Sequence, residues 1–66
     1  MQRKRFSHGV VCRLWSGREL LIARAQTAAA AVDMAASVRR ALDEAERVGR
    51  PRDYADAYPV ELNEGE

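Results

Sequence analysis

A single cysteine in a chain of 66 residues is the feature that most restricts what this sequence can fold into, because it removes the staples small domains commonly use. Cys12 has no partner for an intramolecular disulfide, and with His8 the sole histidine a four-ligand structural zinc site cannot be assembled. A domain of this size buries only about 60% of the surface its unfolded chain exposes, so apolar burial and conformational entropy nearly cancel. Extra burial must then come from self-association or from docking on a larger target.

Hydrophobic periodicity divides the chain into elements. From Phe6 to Trp15 the even positions are Phe6, His8, Val10, Cys12 and Leu14, and the odd ones Ser7, Gly9, Val11, Arg13 and Trp15. This period of two predicts a half-buried strand with its even face toward the core. Ser16-Gly17 supplies turn chemistry, and a second strand-like run extends from Glu19 to about Ala25. The pair reads as a β-hairpin. Its register stays open, because Leu20, Leu21 and Ile22 satisfy a core with either face. A two-residue loop places Leu21, Ala23 and Ala25 on the Cys12 face; a three-residue loop places Leu20 and Ile22 there, and fills a thin core better.

Thr27 has the chemistry of an N-cap, and the alanine-rich stretch after it has the highest helix propensity in the chain. The spacing predicts one long helix from about Ala28 to Val48. Ala31, Met34, Ala35, Val38, Ala41, Leu42, Ala45 and Val48 form its apolar stripe, and Asp43 and Arg47 are spaced for an i,i+4 ion pair. Gly49 suits the left-handed position after the helix, and Pro51 prevents its continuation.

The expected architecture is therefore α+β: a β-hairpin packed by one long helix (ββα) over residues 1–50, followed by an acidic, partly ordered segment over 51–66. Tyr54 and Tyr58 could share a helical turn. Tyr58–Leu62 can instead lie extended as a short third strand at a sheet edge, where Pro59 is tolerated. The expected core is Phe6, Val10, Cys12, Leu14, Ile22, Met34, Val38 and Leu42. The exposed edges of the hairpin and its two-sided apolar second strand also lead us to expect a homodimer.

Charge is unevenly distributed behind a formal net value of +1. Residues 1–26 carry Arg3, Lys4, Arg5, Arg13, Arg18 and Arg24 against Glu19 alone; residues 51–66 carry Arg52 against Asp53, Asp56, Glu61, Glu64 and Glu66. The basic start resembles the opening of a signal peptide, but His8, Gly9 and Arg13 interrupt the apolar segment such a peptide requires. No run reaches the length of a membrane span, and the lone thiol fits a cytoplasmic setting.

Catalytic chemistry finds little to use. In one strand His8 and Cys12 lie about 13 Å apart, too far for a nucleophile and its base. Gly9, Gly17, Gly49 and Gly65 are isolated rather than grouped in a phosphate loop, and Asp43, Glu44 and Glu46 sit among helix-surface arginines. We expect no enzyme, cofactor or metal. Two binding surfaces remain. Arg3, Lys4, Arg5, Arg13, Arg18 and Arg24, with Trp15 as a stacking surface, are the candidate nucleic-acid contacts. Asp53, Tyr54, Asp56, Tyr58 and Glu61 are the candidate contacts for a protein or nucleoprotein partner, with the tyrosines as anchors. A helix-turn-helix would need a second compact helix, which this chain lacks.

In size and make-up, a hairpin, a Thr27-capped helix and a charged tail, the whole chain resembles the small accessory proteins of phages and mobile elements, among them the anti-CRISPR inhibitors. That resemblance implies stoichiometric occlusion of a nucleoprotein effector, with the tail acids standing in for phosphates at a basic DNA channel. The alternative class is a small dimeric nucleic-acid-binding regulator that uses the basic hairpin.

Overall fold

The computed structural model describes residues 6–62, and Arg3, Lys4, Arg5 and Asn63–Glu66 lie outside them. Strands β1 (His8–Arg13) and β2 (Glu19–Ala25) form the antiparallel hairpin, helix α1 (Ala28–Arg47) follows, and β3 (Asp56–Glu61) completes an α+β fold. The sheet runs in the order β2-β1-β3, with β3 antiparallel to β1. The central strand is thus the first in sequence, and α1 carries the chain from one edge of the sheet to the other.

The hairpin closes through Trp15-Ser16-Gly17. The Leu14 N–H donates to the Arg18 carbonyl at 2.7 Å, the Gly17 N–H donates to the Leu14 carbonyl at 2.9 Å, and Gly17 has φ of 98°. A left-handed glycine as third loop residue is what a three-residue hairpin turn demands. Leu20 accordingly stands opposite Cys12. The register then shifts: Val11 faces Leu21 but Val10 faces Ala23, so Ile22 is the extra residue of a β-bulge. Beyond it Ala25 faces His8, as a two-residue loop would have arranged. Each of the two registers legible in the sequence holds over one part of β2.

Helix α1 matches its sequence signals at both ends. The Thr27 hydroxyl accepts the Ala30 N–H at 3.1 Å. At the other end the Arg50 N–H donates to Ala45 O at 2.8 Å and the Gly49 N–H to Glu46 O at 3.1 Å, with Gly49 at φ 87°. These two bonds form a Schellman motif, which satisfies carbonyls the helix end would leave open. Replacing Thr27 with Ala removes the N-terminal acceptor and is expected to lower stability by about 1 kcal/mol, read as a lower urea midpoint at unchanged m-value. The expected Asp43–Arg47 pair does not form. Arg47 instead pairs with Glu44, and Asp43 is taken by Arg52.

The core is made mostly of small side chains: Val10, Val11, Cys12, Ala25, Ala31, Ala35, Leu42 and Ala57 are buried. Val10, Cys12 and Leu42 were expected there. Phe6, Leu14, Met34 and Val38 are only half-buried, and Ile22 is 40% exposed. The reason lies in where the helix rests. α1 packs chiefly over β3 and β1 and least over β2, so side chains directed toward β2 keep contact with water. The bulge additionally takes Ile22 out of the strand's alternation.

Candidate macromolecular interface

β3 holds the residues that the charge pattern had assigned to a separate tail. It begins at Asp56 rather than Tyr58, and the residues before it bend instead of forming a helical turn around Tyr54. Backbone bonds extend the ladder at both ends, from the Ala55 N–H to Arg13 O and from the Leu62 N–H to Ser7 O, each 2.8 Å. Odd-numbered residues of β1 therefore bond toward β3 and even-numbered ones toward β2. Pro59 faces Val10, so the missing N–H of the proline falls on the free side of the sheet, where no ladder bond is lost.

Arg52 fixes the approach to this strand. Its guanidinium donates to Asp43 Oδ1 at 2.8 Å, to Glu46 Oε1 at 3.2 Å and to the Ala55 carbonyl at 3.2 Å. The Asp43 carboxylate, closest of these, favours the charged guanidinium, with Glu46 adding to it. The Arg52 carbonyl in turn accepts the Trp15 indole N–H at 3.0 Å, tying the hairpin turn to the α1–β3 connection although the ring is 65% exposed.

The pleat sorts the remaining side chains onto two faces. Val10, Cys12 and Ala57 lie under the helix and are fully buried. Burial pushes the Cys12 thiol above its ordinary range and keeps it protonated, so it fills space and is a poor nucleophile. Among the described residues, the opposite face carries no helix. On it, alternation from Val11 places Arg13 and Gly9 on β1, Glu19, Leu21 and Arg24 on β2, and Asp56, Tyr58 and Val60 on β3. Leu21 and Leu62 approach each other over Gly9, whose missing side chain leaves them room. The centre of this bare face is apolar and its margin is charged.

Its charges answer one another. Arg13 lies over the Tyr58 ring at 6.0 Å from the centroid and stands opposite both Glu19 and Asp56. The Tyr58 hydroxyl donates across β1 to Glu19 Oε2, and this carboxylate, followed by burial, holds the phenol above its usual range. The Asp56 carboxylate accepts the Ala57 N–H at 2.8 Å.

The basic hairpin and the acidic segment, distant in sequence, are thus neighbours in one sheet. Of the candidate protein contacts, Asp56 and Tyr58 lie on the bare face, Glu61 alternates to the other side, and Asp53 and Tyr54 precede the strand. Among the candidate nucleic-acid contacts, Arg13 and Arg24 share the bare face and Arg18 lies at the hairpin end. Sequence reasoning missed Leu21, Val11 and Val60 as members of this surface. The period-two pattern of β1 contained the signal for Val11, whereas Leu21 needed the register that the bulge sets.

Among the described residues no group of three or more His, Cys, Asp or Glu side chains could hold a metal ion, and no helix is long and apolar enough to cross a membrane. No family model, curated protein or solved structure matches the chain.

Proposed function

We propose that this chain is a small non-catalytic binding protein of the cytoplasm, an inhibitor of the anti-CRISPR kind that occludes a nucleoprotein target by stoichiometric docking. The observation that carries the reading is the sheet face away from the helix, where exposed Leu21 and half-buried Tyr58 and Val60 lie over the buried Val11, with Arg13, Glu19, Arg24 and Asp56 around them. An apolar centre with an aromatic anchor and a charged rim is the anatomy of a protein-binding patch. The resemblance in size and make-up supplies the target class. The bonds that tie Asp56 to the Ala57 N–H and Tyr58 to Glu19 make these two side chains part of the sheet and support this face as the contact surface.

Mixed-sequence duplex DNA and an assembled RNA-guided effector complex are the probes that separate this reading from the regulator. The inhibitor binds the assembled complex and leaves naked DNA unbound at moderate salt. Arg13 and Arg18 at the turn end of the hairpin and Arg24 near its other end favour the second reading, a nucleic-acid-binding regulator that contacts phosphates along the hairpin. That reading requires binding to naked DNA whose affinity falls steeply with salt, as each neutralised phosphate releases counterions.

A further inference from the structure

The two edges of the sheet are not equivalent. On β3 the nitrogen of Pro59 faces outward and interrupts the row of donors a neighbouring strand would need. On β2 no proline intervenes, and Leu20, Leu21 and Ile22 are 49%, 39% and 40% exposed. Because the Leu14 N–H bonds to Arg18 O, alternation turns the backbone of Leu20 toward β1 and that of Glu19 and Leu21 toward the free edge. The bulge resets this alternation in the second half of β2. Ile22 and Ala23 together occupy one ladder position, so Arg24, rather than Ala23, comes next in phase with Glu19 and Leu21, on the same bare face.

This spacing is self-complementary. We infer that β2 pairs antiparallel with β2 of a second copy about a two-fold axis at Leu21, setting Glu19 of each chain opposite Arg24 of the other. The charge complementarity is specific to the bulged register: in an unbulged strand the same axis would set Glu19 opposite Ala23. Opposite charges directly across an antiparallel pair stabilise it, and like charges destabilise it. The guanidinium has five donors and the Glu19 carboxylate two acceptor oxygens, so Arg24 can bond Glu19 Oε1 while Oε2 keeps the Tyr58 hydroxyl and Arg24 keeps the interactions it already makes. Pairing joins two three-stranded sheets into one and extends the bare face across both copies. It stands independently of what that face binds.

Sedimentation of the full chain at about 50 μM tests it, self-association being governed by concentration. Wild type is expected at twice 7.4 kDa. Glu19→Arg and Arg24→Glu, each placing like charges opposite in a self-pair, should sediment as monomers when alone and as a heterodimer when mixed in equal amounts. A Leu21→Cys variant adds a readout that survives misfolding of either charge variant. Directly opposed strand residues in a bonded pair lie about 5.5 Å apart at Cα, within disulfide reach. It should therefore oxidise to a covalent dimer, while Glu19→Cys should not. A monomeric wild type, charge variants that remain dimeric, a mixture that stays monomeric, or a Leu21→Cys chain that resists cross-linking would each overturn the inference.

Discussion

Leu42→Ala is expected to cost about 2–5 kcal/mol, the range for truncating a buried leucine when the cavity cannot fully collapse. Stability for a domain of this length is on the order of 3–10 kcal/mol, so the loss removes a large share of it. Leu42 matters because the rest of the core is so small. Its other helical members are Ala31 and Ala35, and Val10 and Cys12 are the largest side chains that are fully buried. Urea unfolding followed by circular dichroism should show a much lower midpoint; an unchanged midpoint would mean that this part of α1 does not face the sheet.

Gly9→Ala is the second large effect. A Cβ at this position would stand 2.8 Å from the Ala23 carbonyl oxygen and from Leu21 Cδ1, and 3.2 Å from Leu62 Cδ1. The leucines can rotate aside, but the carbonyl belongs to the backbone of β2, and β1 is held on both sides. Relief therefore requires the strands to part, an overpacking penalty of about 1–3 kcal/mol. Alanine normally gains over glycine within a strand by entropy, so the sign of the result is itself informative. Destabilisation supports the close approach, and a neutral or stabilised variant contradicts it. The same substitution should push Leu21 and Leu62 apart and weaken target binding beyond what the loss of stability explains.

These two sites show which parts of the fold the sequence makes legible. α1 could be read to within a residue at each end because its signals are local: the Thr27 hydroxyl reaches Ala30 three residues away, and Gly49 is required by the backbone of its own turn. The third strand was visible in the alternation of Tyr58 to Leu62, but not its partner. Nothing in those residues says that β3 pairs with β1 rather than β2. The bulge was hidden for a different reason. Leu20-Leu21-Ile22 is apolar on both faces, so hydrophobic patterning could not choose a register, and the structure uses one on each side of Ile22.

The candidate site was least legible because charge was summed along the chain. By segment the sequence has a basic front and an acidic end, which suggest two separate docking surfaces. Pairing of β1 with β3 sets Arg13 opposite Asp56 and against the Tyr58 ring, so part of that polarity is consumed inside one sheet. The face is left presenting its apolar centre. Val11, apolar but at an odd position, was the residue in β1 that the expected core left without a role.

Whether the chain acts by occupying a target with its bare sheet face is tested most directly by titrating it into DNA cleavage by an assembled RNA-guided effector complex. Activity should fall in proportion to added protein, and reach its floor at a fixed small molar ratio. Val60→Asp, which charges the face while leaving the Arg13–Tyr58–Glu19 contacts in place, should abolish inhibition with the helical circular dichroism intact. The contrary result is a chain that leaves cleavage unaffected while binding naked duplex DNA, with affinity falling by roughly a thousandfold or more between 50 and 200 mM salt. Loss of that binding on replacing Arg13, Arg18 and Arg24, with Val60→Asp binding as wild type does, would assign the function to the basic hairpin instead.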